Sequence, residues 1–214
     1  LADFVRDHPE VLERYKNLKG AKGPLENSQL DEGFNESAFS QALIDRLGEI
    51  PVGDANADIY HRLCIGLLTF IFHPEISAPV REAKIHDGRK RVDIVYNNSS
   101  DSGFFFRRLQ APQTRAQSVF VECKNYTKNL ANPELDQLQG RFNVRRGFFG
   151  ILMCRSMDNR ERIIAGCKDT AIDGRGYMIV FEDSDIIHML EMIRDGNRPN
   201  IDNYLEQRLR EISM

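Results

Sequence analysis

The sequence predicts an α/β fold: a mixed central sheet with helices on both faces, preceded by an N-terminal helical region. Three observations predict it. The apolar spacing is helical up to residue 72 and changes to that of strands from residue 78. Two compact apolar runs, over residues 147–155 and 177–181, have the length of buried strands, and each is followed by a helical pattern. The resulting order of helix, strand, strand, strand, helix, strand, helix, strand, helix is that of a sheet sandwiched between helices. At 214 residues, 41% hydrophobic and 29% charged, the chain has apolar material for one core and is not disordered as its main state. The division drawn from this is a helical region over residues 1–52 and one α/β domain over residues 53–214.

Taken in order, Phe4, Val5, Val11, Leu12, Tyr15 and Leu18 keep a helical period over residues 2–19, Gly20 stops it, and a Gly/Lys/Pro linker follows. Asn35 or Ser37 caps a second helix through about residue 47, closed by Pro51-Val52-Gly53. Residues 58–72 are apolar around most of the circumference, which predicts a buried helix lying on the sheet. Residues 78–85 and 90–97 flank Asp87-Gly88 and read as a hairpin. Residues 98–116 read as a long loop with a short helical turn, and residues 117–125 as a third strand. Asn132-Pro133-Glu134 opens a helix to about residue 145. Asn can cap there, Pro at the first helical position needs no amide hydrogen, and an early acid suits the helix dipole. A strand over residues 147–155, a helix over 158–170 and a strand over 177–181 come next. A helix capped by Ser184 or Asp185 and an amphipathic helix over 201–212 complete the chain.

The longest apolar run, residues 64–72, contains Gly66 and Thr69 and falls far short of the about 20 apolar residues that a membrane-spanning helix needs. The start, Leu1-Ala2-Asp3-Phe4-Val5-Arg6-Asp7, lacks the basic opening and apolar centre of a secretory signal, so the chain reads as cytoplasmic and off the membrane. Opening on Leu leaves room for domains upstream. Cys64, Cys123, Cys154 and Cys167 form no C-x-x-C pair and read as buried, reduced thiols. His8, His61, His73, His86 and His188 show no H-x-x-x-H or H-E-x-x-H spacing, and none is assigned to a metal. The net charge of −3 hides a basic middle, because residues 81–146 hold 13 Lys or Arg against 7 Asp or Glu. Such a stretch in an acidic chain is either the footprint of a polyanion site or a solvated charged face.

Strand alternation isolates the candidate chemistry. In Val119-Phe120-Val121-Glu122-Cys123-Lys124 the acid and the amine project together, while Val121 and Cys123 point the other way. Val92, Ile94 and Tyr96 share a face that Asp93 does not. A two-residue turn at Asp87-Gly88, or a four-residue turn from His86 to Arg89, sets Glu82 directly opposite Asp93, whereas an odd loop or a bulge moves Glu82 to the other face. Facing carboxylates repel unless a cation lies between them, and a hard divalent ion takes such a pair. Ordinary ion pairs with Arg91, Lys84 or Lys124 are the plainer alternative. Together, an acid on one strand and Glu-x-Lys on the next, inside a basic segment and followed by a capped helix, match a phosphodiester hydrolysis site.

Val92-Asp93, the 28 residues between the two acids, and Glu122-Cys123-Lys124 resemble the PD-(D/E)XK signature of restriction-endonuclease-like nucleases. Gly88-Arg89-Lys90-Arg91-Val92-Asp93-Ile94-Val95, Val121-Glu122-Cys123-Lys124-Asn125-Tyr126 and Asn132-Pro133-Glu134-Leu135-Asp136-Gln137-Leu138-Gln139-Gly140-Arg141-Phe142 are similar to the Mrr-like branch, and the likeness covers about residues 56–195. It implies a restriction-endonuclease-like α/β/α core. It also implies Asp93, Glu122 and the Cys123 backbone carbonyl as ligands of Mg²⁺, with Mn²⁺ able to substitute, Lys124 as the catalytic lysine and Gln137 as the helix contribution. Glu82 joins the metal candidates by register. Val92 stands where the signature has Pro, and residues 97–116 look like an insertion of the kind that shapes substrate choice.

On the helix after the Glu-x-Lys strand, Gln137, Arg141 and Arg145 fall one turn apart. Arg141 and Arg145, with Arg91, are candidate nucleic-acid contacts or a solvated face. Phe104-Phe105-Phe106 is either a core anchor or a base-stacking run. The expectation is a nuclease acting on DNA more than RNA, working as a homodimer or as a subunit of a larger complex, and serving as an effector of restriction or phage defence. A catalytically silent nucleic-acid-binding or assembly module is the alternative, and a docking domain centred on residues 1–50 is a third.

Overall fold

The computed structural model describes residues 34–85, 90–126 and 132–213, with the main chain alone at 83–85, 90, 91 and 132. The expected helix over residues 2–19, the linker after it and the Asp87-Gly88 turn lie outside the described residues. Helix α1, Glu36–Glu49, starts where Asn35 Oδ1 accepts the Ala38 amide at 2.9 Å. A short 3₁₀ turn, Asp54–Asn56, leads into α2, Ala57–Phe72, which buries Tyr60, Cys64, Leu67, Leu68, Phe70, Ile71 and Phe72. Then come β1, Ile76–Ile85; β2, Lys90–Asn98; α3, Gly103–Gln110; β3, Ser118–Lys124; and α4, Asn132–Gln139. The chain ends with β4, Phe149–Cys154; α5, Arg160–Ile172; β5, Tyr177–Glu182; α6, Asp183–Arg194; and α7, Ile201–Ser213.

The strands form one sheet in the order β1-β2-β3-β4-β5. The first three are antiparallel neighbours, and β3, β4 and β5 run parallel. The mixed sheet is covered as the sequence predicts. Helices α1, α2 and α6 pack together on one face, and α4, α5 and α7, with α3 beside α7, pack on the other. The central strands are therefore buried on both sides: β4 at all six positions, and β3 from Val119 to Cys123. All four cysteines are free and buried. Among the described residues, no helix is long and apolar enough to cross a membrane.

Three expectations need correction. Residues 103–110 form a two-turn helix rather than a turn in a loop, because Phe104 and Phe105 dock in the core with no exposed surface. Their rings meet Phe72 and Phe149 at 5.2 and 5.8 Å, which leaves neither free to stack on a base. Helix α4 stops at Gln139, about six residues early, so Arg141 and Arg145 are not on it. After Gly140, Asn143 Oδ1 accepts the amides of Arg145 and Arg146, and Asn143 pairs with Gly147, which holds φ at +104°. Helix α6 is capped by Glu182, with Asp185 reaching back to the Glu182 amide at 2.7 Å, so Asp185 is the third helical residue of a capping box.

The edge strand β1 is irregular. Its register shifts between Ser77 and Val80, and Ala78 and Glu82 take left-handed φ values of 49° and 50°. On the far side of the sheet, Arg155 fastens the end of α1, the end of β3 and the start of α6. Its guanidinium donates to Leu47 and Ile50 carbonyls at 3.2 and 2.8 Å, to Asn125 Oδ1 at 3.0 Å and to Asp183 Oδ2 at 2.6 Å. The side chain is 9% exposed. Arg155→Ala should therefore cost about 3–5 kcal/mol, since it leaves the half-buried Asp183 with only the Tyr60 hydroxyl among the described residues and takes the donor from several carbonyls. Urea unfolding checks this, and a loss below about 1 kcal/mol would show the clasp to be dispensable.

Candidate active site

Strands β2 and β3 pair from Asn97–Ser118 to Ile94–Val121, and Asp93 and Glu122 are the next residue on each. Beyond that point the strands part. Asp93 Oδ2 instead accepts the Cys123 main-chain amide at 2.9 Å, so a side chain closes the gap that the ladder leaves. Glu122 is 1% exposed, Lys124 16% and Asp93 20%, which grades the row from the interior outward. Alternation on β3 puts Glu122 and Lys124 on one side, and Lys124 Nζ donates to Glu122 Oε1 at 3.0 Å. Gln137 arrives from α4: its amide nitrogen donates to Glu122 Oε1, and its oxygen accepts from Lys124 Nζ at 3.2 Å. The three side chains form a closed triangle.

That triangle uses one carboxylate oxygen. The other, Glu122 Oε2, is buried with no hydrogen-bond partner. An orphaned, nine-tenths buried carboxylate oxygen is costly unless a proton or a cation satisfies it. Burial raises the Glu122 carboxyl from its ordinary 4.5 to about 7, the like charge of Asp93 adds to the rise, and Lys124 and Arg141 oppose it. The site thus holds a carboxylate poised between its two protonation states near neutral pH. A divalent cation beside Oε2 would satisfy it as a proton does, and Asp93 and the Cys123 carbonyl are the oxygen donors at hand.

The structure brings together Asp93, Glu122, Lys124 and Gln137. Glu82 lies at the exposed edge, its side chain 51% exposed and 3.9 Å from the Arg81 guanidinium. The pairs on either side of it, Arg81–Ile94 and Ala83–Val92, hold the expected register, while its left-handed backbone breaks the strand alternation. Arg141 leaves α4 yet stays near the cluster, 9% exposed with Nε unpaired, and it acts on Glu122 by charge. Arg145 is exposed in the turn, and the Arg91 side chain lies outside the described residues.

Sequence reasoning missed His61. It projects from α2, 21% exposed, with Nε2 3.0 Å from the Cys123 carbonyl oxygen and 3.9 Å from Asp93 Oδ2. Its helical offset of three from buried Cys64 was the available signal, but a lone His has no spacing to flag it. Among the described residues, no group of three or more His, Cys, Asp or Glu side chains closes on a metal position by itself. Any cation here would need main-chain oxygen and water as well.

No family model matches the chain, and no curated protein matches it. Among solved structures it is similar to the restriction endonuclease FokI bound to DNA, at 13% identity and a TM-score of 0.47, over 84% of this chain and 35% of that one. The chain spans about a third of the length of that protein.

Since folding raises the Glu122 value, this group's stabilising share is complete below its unfolded value of 4.5 and is lost as pH rises through about 7. Unfolding in chelator between about pH 5 and pH 8 should show a fall on the order of 3 kcal/mol that Glu122→Gln abolishes. A Glu122→Gln profile parallel to the wild type would disprove this role.

Proposed function

We propose that this chain is a divalent-metal-dependent nuclease of the PD-(D/E)XK type, hydrolysing phosphodiester bonds in DNA in preference to RNA. The observation that carries the reading is the buried Glu122 carboxylate, held on one oxygen by Lys124 and Gln137, orphaned on the other, and placed beside Asp93. A structural salt bridge has no need of the second acid or of the orphaned oxygen. The sequence pattern adds the basic segment and the likeness to the Mrr-like branch, and the α/β/α architecture agrees with both.

On this reading Asp93, Glu122 and the Cys123 carbonyl would hold Mg²⁺ or Mn²⁺, with Glu82 a further candidate from the edge strand. When bound there, the cation would supply charge neutralisation at the scissile phosphate and a lowered pKa for a bound water. The protein's own residues do the rest. Lys124, fixed by two acceptors, orients the attacking water and offsets charge developing on the phosphorane oxygens. Gln137 keeps the carboxylate and the ammonium from rotating apart. Arg141 lowers the cost of an ionised Glu122, and Arg91 and Arg145 are the candidate contacts to flanking phosphates. Activity as a homodimer or within a larger restriction or defence complex belongs to the same proposal.

Supercoiled plasmid, linear duplex, single-stranded DNA and RNA should be incubated with Mg²⁺, Mn²⁺ or EDTA, beside Glu122→Ala. Cleavage that requires both the cation and Glu122 is expected; binding without cutting would favour the silent module. Lys124→Ala should lower turnover by about 100-fold or more while leaving cation affinity in place, as single-turnover rates and a metal titration would report. A rate near the wild type would remove Lys124 from the chemistry.

A further inference from the structure

His61 is the donor at this cluster to which the nuclease reading gives no task. In a strand, a residue's N–H and C=O point to the same side, and the Cys123 pair faces the place where β2 has parted from β3. There the amide goes to Asp93 Oδ2 at 2.9 Å and the carbonyl to His61 Nε2 at 3.0 Å. Asp93, the Cys123 peptide and His61 therefore meet at the end of the β2–β3 ladder. Helix α2 supplies the imidazole from the face opposite α4, which supplies Gln137.

The 3.0 Å between His61 Nε2 and the Cys123 carbonyl oxygen is a hydrogen-bond length. It is also the separation of neighbouring donors around an octahedral cation, about 3.0 Å when each bond is about 2.1 Å. Exchanging the shared proton for a divalent ion would leave these two atoms nearly in place, with the ring proton carried on Nδ1 and the lone pair on Nε2. Asp93 Oδ2, at 3.9 Å from Nε2, joins by rotation of its carboxylate. The orphaned, buried Glu122 Oε2 is an independent sign that a positive group belongs beside these residues.

We infer that His61 Nε2 is a ligand of the same divalent cation as Asp93, Glu122 and the Cys123 carbonyl, and that this nitrogen donor biases the site toward Mn²⁺ over Mg²⁺. The inference rests on the nuclease reading for the existence of the cation site and adds to it the ligand set and the preferred ion. Mg²⁺ favours all-oxygen shells and holds its water, whereas first-row ions accept imidazole readily.

Direct observation of the ion tests this without reference to cleavage. Mn²⁺ binding to the full chain is followed by the loss of the free-ion EPR signal, Mg²⁺ binding by competition, and the bound Mn²⁺ is examined by electron spin echo for ¹⁴N coupling. The wild type should show imidazole ¹⁴N coupling. His61→Ala and His61→Gln should lose it and weaken Mn²⁺ by about tenfold or more, with a much smaller change for Mg²⁺. Bound Mn²⁺ without nitrogen coupling in the wild type overturns the role of His61 and needs no variant to fold. So does unchanged Mn²⁺ affinity in the His61 variants when Asp93→Ala and Glu122→Ala abolish binding, and in both cases the cation site itself stands. A wild-type protein that takes up no Mn²⁺ overturns the inference and the nuclease reading together.

Discussion

The burial of one carboxylate constrains the rest of this structure. Strand β3 is covered by α2 on one face and α4 on the other, so its environment is that of a fully apolar strand. Glu122 nevertheless occupies its centre at 1% exposure. A charge there is tolerable only with compensation on the spot, and each compensating group fixes a piece of architecture. Lys124 must follow at the same-side position and α4 must bring Gln137 to within hydrogen-bond reach; Asp93, whose like charge works against them, is instead held by the Cys123 amide where the β2–β3 ladder ends beyond Ile94. What remains uncompensated is Oε2.

The Cys123 peptide joins the two helical layers electrically. From one side α2 presents His61 to its carbonyl, and from the other α4 presents Gln137 to the neighbouring carboxylate. A shift of either helix would be felt at the same three-residue stretch of β3. The N-terminal described segment is bound to this stretch too. Asn125, one residue past Lys124, donates to the Pro51 and Gly53 carbonyls at 3.1 and 2.8 Å, and Arg155 ties the end of α1 to the same asparagine. Helix α1 is thus part of the frame that holds the Glu-x-Lys strand.

Much of this was legible in the sequence. Period-two alternation is insensitive to distant contacts, so it placed Glu122 with Lys124 and set Asp93 apart from Val92, Ile94 and Tyr96, all three of which are buried. The hairpin register followed from turn length alone, and the observed pairs on both sides of Glu82 agree with it. What failed depended on tertiary or capping chemistry. A single Gly140 followed by an Asn143 turn ended α4 where the apolar spacing still ran on to Phe142. The α3 helix is specified by Phe104 and Phe105 finding Phe72 and Phe149, a contact with no local signature. Glu182 caps α6 from a position where Ser and Asp are the commoner choices, so the neighbouring Ser184 and Asp185 carry the stronger local signal. His61 was hidden for a similar reason: its partners are a main-chain carbonyl and an acid on another strand, neither of which leaves a spacing to read.

The irregular edge strand bears on how copies of this protein can meet. Ala78 and Glu82 each turn the backbone into the left-handed region, and the ladder to β2 skips a step between Ser77 and Val80. The outer row of amides and carbonyls on β1 is thereby cut into pieces too short and too misaligned to template an incoming strand. Straightening it would disturb the pairing that positions Val92 and, one residue on, Asp93. Growth of the sheet across β1 therefore competes with the site itself, which leaves β5 as the edge whose extension would not disturb Asp93.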